Sequence, residues 1–160
     1  MNLSVPNILL WLFVINLGVA YGAGLYETRI ILPQWFTKSS DSEFRVNSEA
    51  MRQTDTGLRF WAFVTTLPLS LLTLANLFTA LQSQGSRREW WLAAGAITLV
   101  ERLGTFAFFI PTAIKLMQAD NIPGFTAAKL ASLWMRLNHV RNALVLLGWL
   151  AALKTLSLSI

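Results

Sequence analysis

The chain contains no cysteine. That absence excludes disulfides, thiolate nucleophiles and cysteine-ligated metal sites together. Charge is scarce as well. Only 13% of the 160 residues are charged, about half of the roughly 25% usual in soluble domains. None lies between Asn2 and Tyr26. The net charge is +5 and the pI near 10.3, but the basic residues are scattered among loops, with no Lys/Arg run and no basic stripe. A nucleic-acid partner is therefore not expected. There is one histidine, His139. Catalytic zinc takes three protein ligands and iron triads take two histidines, so no metal site and no cofactor is expected. A Glu27/Glu101/His139 carboxylate–histidine site and single-histidine haem ligation stand as alternatives. No phosphate loop, dinucleotide fingerprint or serine nucleophile elbow is present.

What the chain has instead is apolar length. Hydrophobic residues make up 54% and the mean hydropathy is +0.51. Uninterrupted apolar stretches of about 18 residues or more read as membrane spans. The pattern predicts four, at roughly 7–35, 60–81, 90–117 and 128–155, joined by linkers 36–59, 82–89 and 118–127. The fold class is all-α: an integral membrane four-helix bundle, antiparallel and up-down-up-down, forming one domain over 1–160. Both termini then fall on one side. Ile8–Val19 also fits the core of a signal peptide. No Lys or Arg precedes it and the apolar run continues, so the reading is an uncleaved first span. Membrane lipids are the expected partners, and the oligomeric state stays open.

Seven tryptophans divide between the two ends of such a bundle: Trp11, Trp90, Trp91 and Trp149 at one, Trp35, Trp61 and Trp134 at the other, as interfacial belts do. Pro68 and Pro111, inside or near the end of spans two and three, are expected to bend them. Gly18 and Gly22 form a GxxxG pair, read as close packing within the bundle. Lys and Arg are more numerous on the 36–59 side, which favours that side as cytoplasmic. Most of them share the long loop with acids, so the orientation stays open. Ser40 with Glu43 is expected to cap a short helix in that loop, which would cover the bundle end near Glu27.

Glu27 raises the functional question, because it arrives while the apolar pattern is still running. A charge at the bilayer centre costs about 2.5–3.5 kcal/mol on insertion scales, so such residues face the bundle interior and pair. Glu27 and Arg29 point to opposite sides of a helix, and Glu101 and Arg102 are adjacent and not expected to face each other. Glu27 is expected to contact Arg102, Asn138 or Arg141 on other helices. Thr98, Arg102, Thr105 and Phe109 form a stripe at helical spacing. The candidate pocket is thus Glu27 as general base, with Arg102, Thr105, Phe109, Asn138 and Arg141 holding a small hydrophobic ligand. The competing reading is an ion-pair network that only fixes helix order.

The segments "GAGLYETRIILPQW", "FWAFVTTLPLSLLTLANL", "ERLGTFAFFIPTAIKL" and "LWMRLNHVRNALVLLGWLAALKTLSL" resemble the small four-helix membrane proteins of the anthrone oxygenase-like family. The resemblance covers most of the chain outside 37–58. Most members are bacterial domains of unknown function, so it implies a bacterial inner-membrane location. For a few fungal members it also implies oxidation of a polycyclic anthrone to a quinone by O₂ without an added cofactor. The alternatives are a non-catalytic module that binds a lipid or quinone, an accessory subunit, or a small transporter.

Overall fold

The computed structural model describes residues 4–38 and 44–158. Four long helices dominate: α1 (Val5–Trp35), α3 (Gly57–Leu81), α4 (Gly85–Met117) and α5 (Gly124–Ser157). All four are long and apolar enough to cross a membrane. The expected spans correspond to them, with each helix starting two to five residues earlier. Between α1 and α3 lie a two-stranded antiparallel hairpin, β1 (Phe36–Lys38) and β2 (Phe44–Val46), and a short helix, α2 (Ser48–Thr54).

The helices form an antiparallel square. Asn16 on α1 bonds Val64 on α3, while Leu9 bonds Asn76. Along α1 and α5, Gly18 sits under Trp149, Gly24 under Asn142, and Glu27 beside Arg141. The outward faces are apolar, with Phe63, Leu71, Phe78 and Leu103 all more than half exposed. A solvent-facing bundle would have the opposite pattern; with lipid outside, the exposed apolar faces carry no penalty. The chain is an integral membrane four-helix bundle.

Inside, the layers alternate. One apolar core near the chain termini contains Leu10, Phe13, Leu17, Leu69, Trp91 and Ala152. A second, near the linker, contains Leu32, Trp35, Met51, Phe109, Leu116 and Trp134. Between them each helix contributes buried polar groups: Glu27 from α1, Thr65 from α3, Thr98 to Thr105 from α4, and Asn138 and Asn142 from α5.

Three of the helices are not uniformly wound. Wide π-turns occupy Glu27–Ile31 in α1, Gly57–Thr66 in α3 and Thr105–Phe109 in α4. Each ends one residue before a Leu-Pro or Ile-Pro pair, and each pre-proline residue bonds five residues back: Leu32 to Glu27, Leu67 to Ala62, Ile110 to Thr105. A proline ring clashes with the carbonyl four residues back and donates no hydrogen bond to it. The extra residue in the preceding turn makes room for the ring. The carbonyl so freed must find another donor in lipid. At Pro68 that carbonyl is Val64, and it accepts the Asn16 side-chain amide at 2.9 Å. The disturbance expected at Pro68 and Pro111 takes this form, and Pro33 shares it. α5 contains no proline and winds regularly through 34 residues.

Several expectations need correction. The tryptophans do not form two belts. Trp35, Trp91 and Trp134 are buried, Trp91 donating to Asn76 at 2.9 Å, and only Trp11 and Trp90 are exposed. Of the glycine pair, Gly18 packs against Trp149, but Gly22 faces open space. The linker helix is capped by Asn47, whose side chain accepts from the Ala50 amide at 3.0 Å; Ser40 and Glu43 lie outside the described residues.

The linker does cover the end of the bundle. Met51 of α2 is fully buried in the second core. The hydroxyl of Ser48 donates to Asp120 at 2.9 Å, and Arg52 reaches Asp120 at 3.1 Å and the Met117 carbonyl at 2.6 Å. The Ser48 hydrogen bond, then Arg52, holds the Asp120 carboxyl below its ordinary 3.8. Arg52, then Gln53, likewise lowers Glu49.

Groups with depressed values favour docking above their ordinary pKa and stop doing so as pH falls through the depressed one. Hydrogen-exchange protection of α2, corrected for intrinsic rates, should be constant from neutral pH down to about pH 5 and fall in more acidic buffer. Asp120→Asn should show the loss at neutral pH. Packing gives a second expectation. A Cβ on Gly148 would lie 2.8 Å from Thr98 Oγ1, so Gly148→Leu should cost about 1–3 kcal/mol in a mixed-micelle unfolding titration. Gly22→Ala, facing open space, should be neutral or stabilising.

Candidate functional site

The polar layer holds two buried ion pairs. In the first, Arg141 Nη2 of α5 donates to Glu27 Oε2 of α1 at 2.6 Å. The other oxygen, Oε1, accepts the indole N–H of Trp61 from α3 at 2.8 Å. Three helices therefore meet at one carboxylate. The Arg141 guanidinium also lies 4.5 Å from the Phe109 ring and 5.4 Å from the Trp61 ring, within cation–π range. Glu27 occupies the first position of the α1 π-turn.

The second pair lies on α4. Arg102 grips Glu101 through Nε at 2.5 Å and Nη2 at 2.7 Å, and Thr105 donates to Glu101 Oε1 at 2.9 Å. This corrects the expectation that Glu101 and Arg102 do not meet, and that Arg102 turns to Glu27. Adjacent Cβ atoms diverge on a helix, but the arginine stem is long enough to fold back. The planar fork then takes both carboxylate oxygens.

Asn138 is also placed differently from the expected pocket wall. It is fully buried, but its amide donates to Thr28 Oγ1 at 2.6 Å rather than to Glu27. Asn142 donates to the same hydroxyl at 3.0 Å, and Thr28 donates to the Gly24 carbonyl at 2.7 Å. These groups stitch the α1–α5 seam behind Glu27. Gly24 leaves room there for the Asn142 amide, since a Cβ would lie 2.5 Å from Asn142 Oδ1 and displace it.

A cavity opens among the two ion pairs, with about 80 Å³ available to water-sized molecules. Glu27, Arg102, Thr105, Phe109 and Arg141 all line it, as do Glu101, Trp35, Trp61, Trp134 and Met51. Asn138 does not. Two of the lining residues carry a buried donor with no partner among the described residues: Arg102 Nη1 and Trp134 Nε1. Both residues are at least nine-tenths buried, at 6% and 4% exposure. The Trp134 ring stands edge-to-face with Phe109 at 5.2 Å.

Other candidates fall elsewhere. His139 lines a groove on the outer side of α1 and α5 with Arg29. Among the described residues no three His, Asp or Glu side chains converge, so the Glu27/Glu101/His139 arrangement is not assembled. Phe106 points outward, while Phe108 packs on Trp134. The residues that sequence reasoning underweighted are Trp61, Trp134 and Asn142. Trp61 was read as a belt residue, yet it lies in the α3 π-turn and donates to Glu27.

No protein-family model, no curated protein and no solved structure matches the chain.

If Glu27 and Arg141 form one unit, removing either strands the other. Arg141→Leu leaves a buried carboxylate unpaired and should cost about 3–5 kcal/mol. Glu27→Gln should cost less, because its amide oxygen still accepts from Trp61 or Arg141. A sodium dodecyl sulfate unfolding titration of both variants checks the order; equal losses would show that the pair is not the stabilising unit.

Proposed function

We propose that the chain binds a flat, neutral, apolar molecule carrying a carbonyl oxygen inside the bundle, and oxidises it in the anthrone oxygenase-like manner that the sequence resemblance implies. The single observation that carries the binding part is the donor imbalance of the cavity. Arg102 Nη1 and Trp134 Nε1 are buried and unpaired, while both carboxylates already accept bonds from Arg141, Trp61, Arg102 and Thr105. A buried donor without a partner costs about 1–3 kcal/mol, so an incoming acceptor oxygen is favoured. The charges cancel, two arginines against two glutamates, which favours a neutral ligand. The Trp61, Phe109 and Trp134 rings supply apolar surfaces.

In the reaction, Glu27 takes a proton from the acidic ring carbon opposite the substrate carbonyl. The remaining electron pair delocalises onto the carbonyl oxygen, which Arg102 and Trp134 stabilise by donating to it. That carbon then bonds to O₂ to give, with a proton, a hydroperoxide, and loss of water leaves the second carbonyl. Substrate and O₂ become quinone and water. The resemblance also supports a bacterial inner membrane, and the four-span layout favours both chain termini on one side.

A second reading, a non-catalytic module that holds a lipid-soluble quinone, is favoured by one feature: both oxygens of Glu27 are engaged. Protein in nanodiscs supplied with anthrone and O₂ separates the two. The oxygenase forms quinone faster than protein-free nanodiscs do, and Glu27→Gln slows this by about 10²-fold or more while binding survives. Anthraquinone binding without turnover supports the holding role. Failure to bind either compound rejects both.

A further inference from the structure

A groove between α1 and α3 lies on the membrane-facing side of the bundle. Gly22, Ala23, Tyr26 and Phe60 line it, and Glu27 and Trp61 do so as well. Glu27 and Trp61 also line the interior cavity. Groove and cavity therefore share a wall made of these two side chains. The groove offers about 490 Å³, and position 22 borders open space in it, since a Cβ there would meet nothing within 4 Å and a larger side chain would project into the groove.

The wall is built to yield. Of the ten residues in the α3 π-turn region only Thr65 is buried. Leu58 and Phe63 are 66% and 72% exposed. This half of α3 makes few close backbone approaches to the second half of α4, whereas the two helices pack tightly at their hairpin end, where Gly95 meets Leu77. Trp61 makes one side-chain hydrogen bond, to Glu27, beside ring contacts with Phe60 and the Arg141 guanidinium. The linker end, by contrast, is roofed by α2, with Met51 fully buried on the cavity.

We propose that this groove is a lateral portal, through which a neutral apolar molecule dissolved in the bilayer reaches the cavity when Trp61 swings off Glu27. The proposal rests on the reading that the cavity takes such a molecule. It assigns Gly22 the task of keeping the path clear and Trp61 that of a latch. Water-borne and charged compounds are excluded, because the path crosses apolar surface.

Photolabelling tests the route without needing the natural ligand. The full chain in nanodiscs is equilibrated with adamantyl diazirine, irradiated and mapped by mass spectrometry. Label is expected on the outward-facing Leu71 and Phe78 and on the interior Thr105 and Phe109. Gly22→Leu should fill the groove and lower interior label several-fold, leaving the outer label unchanged. Ala23→Phe serves the same purpose if the first variant folds poorly. Trp61→Ala should raise interior label. Interior label that is unchanged by a folded groove-filling variant, or that arises equally from a charged diazirine confined to the buffer, would overturn the portal. Interior labelling through the groove in a protein that binds no anthrone would uphold the portal and reject the reading of the ligand.

Discussion

Every backbone carbonyl in the hydrocarbon region needs a donor from within the protein, and three of the four long helices break that supply with a proline. The rest of the architecture follows from how the breaks are absorbed. Each proline is preceded by a widened turn, and the widened turns fall at neighbouring levels because the helices are antiparallel. Glu27, Trp61, Thr105 and Phe109 all sit on them. Widened turns displace side chains from regular helical positions and are common at functional sites. α5 has no such break. It acts as the straight member against which the others pack, through small residues such as Ala131, Gly148 and Ala152.

The polar layer is the complement of that backbone irregularity. Two ion pairs with balanced charge sit between two apolar cores. Burial of unpaired charge would be prohibitive, and pairing across helices also fixes their relative rotation. Glu27 joins α1, α3 and α5 at one point, while the Glu101–Arg102 pair is confined to α4. The first pair ties helices together. The second engages Nε and Nη2 of Arg102 and leaves Nη1 buried without a partner among the described residues.

The helices were readable in the sequence because the membrane demands long apolar runs and the short linkers force antiparallel neighbours. Glu27 and Arg141 were readable too, since opposed helices tilt their side chains toward each other. Arg102 and Asn138 were not. Arg102 pairs with its own neighbour because its side chain is long and flexible, which periodicity does not encode. Asn138 lies in the stripe facing α1, but a small shift in rotation sends it to Thr28 rather than Glu27. The widened turns were missed although the signal was present: three Leu-Pro or Ile-Pro pairs, each inside an apolar run. Trp35 and Trp91 were misread as belt residues because an indole that finds an acceptor within the protein, as they find Thr54 and Asn76, can leave the interface for the core; Trp134 is instead held there by ring packing against Phe36, Phe108 and Phe109.

The roof over the linker end also orders events in time. Ser48 and Arg52 of α2 are held by Asp120, which lies about seventy residues later and is made only after α4 is complete. During synthesis α2 can therefore meet α1 through Thr54 and Trp35, and α4 through Arg52 and the Met117 carbonyl, before its Asp120 contacts exist. Its partner arrives with the turn that introduces α5, the same helix that brings Arg141 to Glu27. The Glu27–Arg141 pair and the Asp120 clasp of the roof thus both wait on the last part of the chain, and before it is made the Trp61 indole is the one of Glu27's two described partners already synthesised.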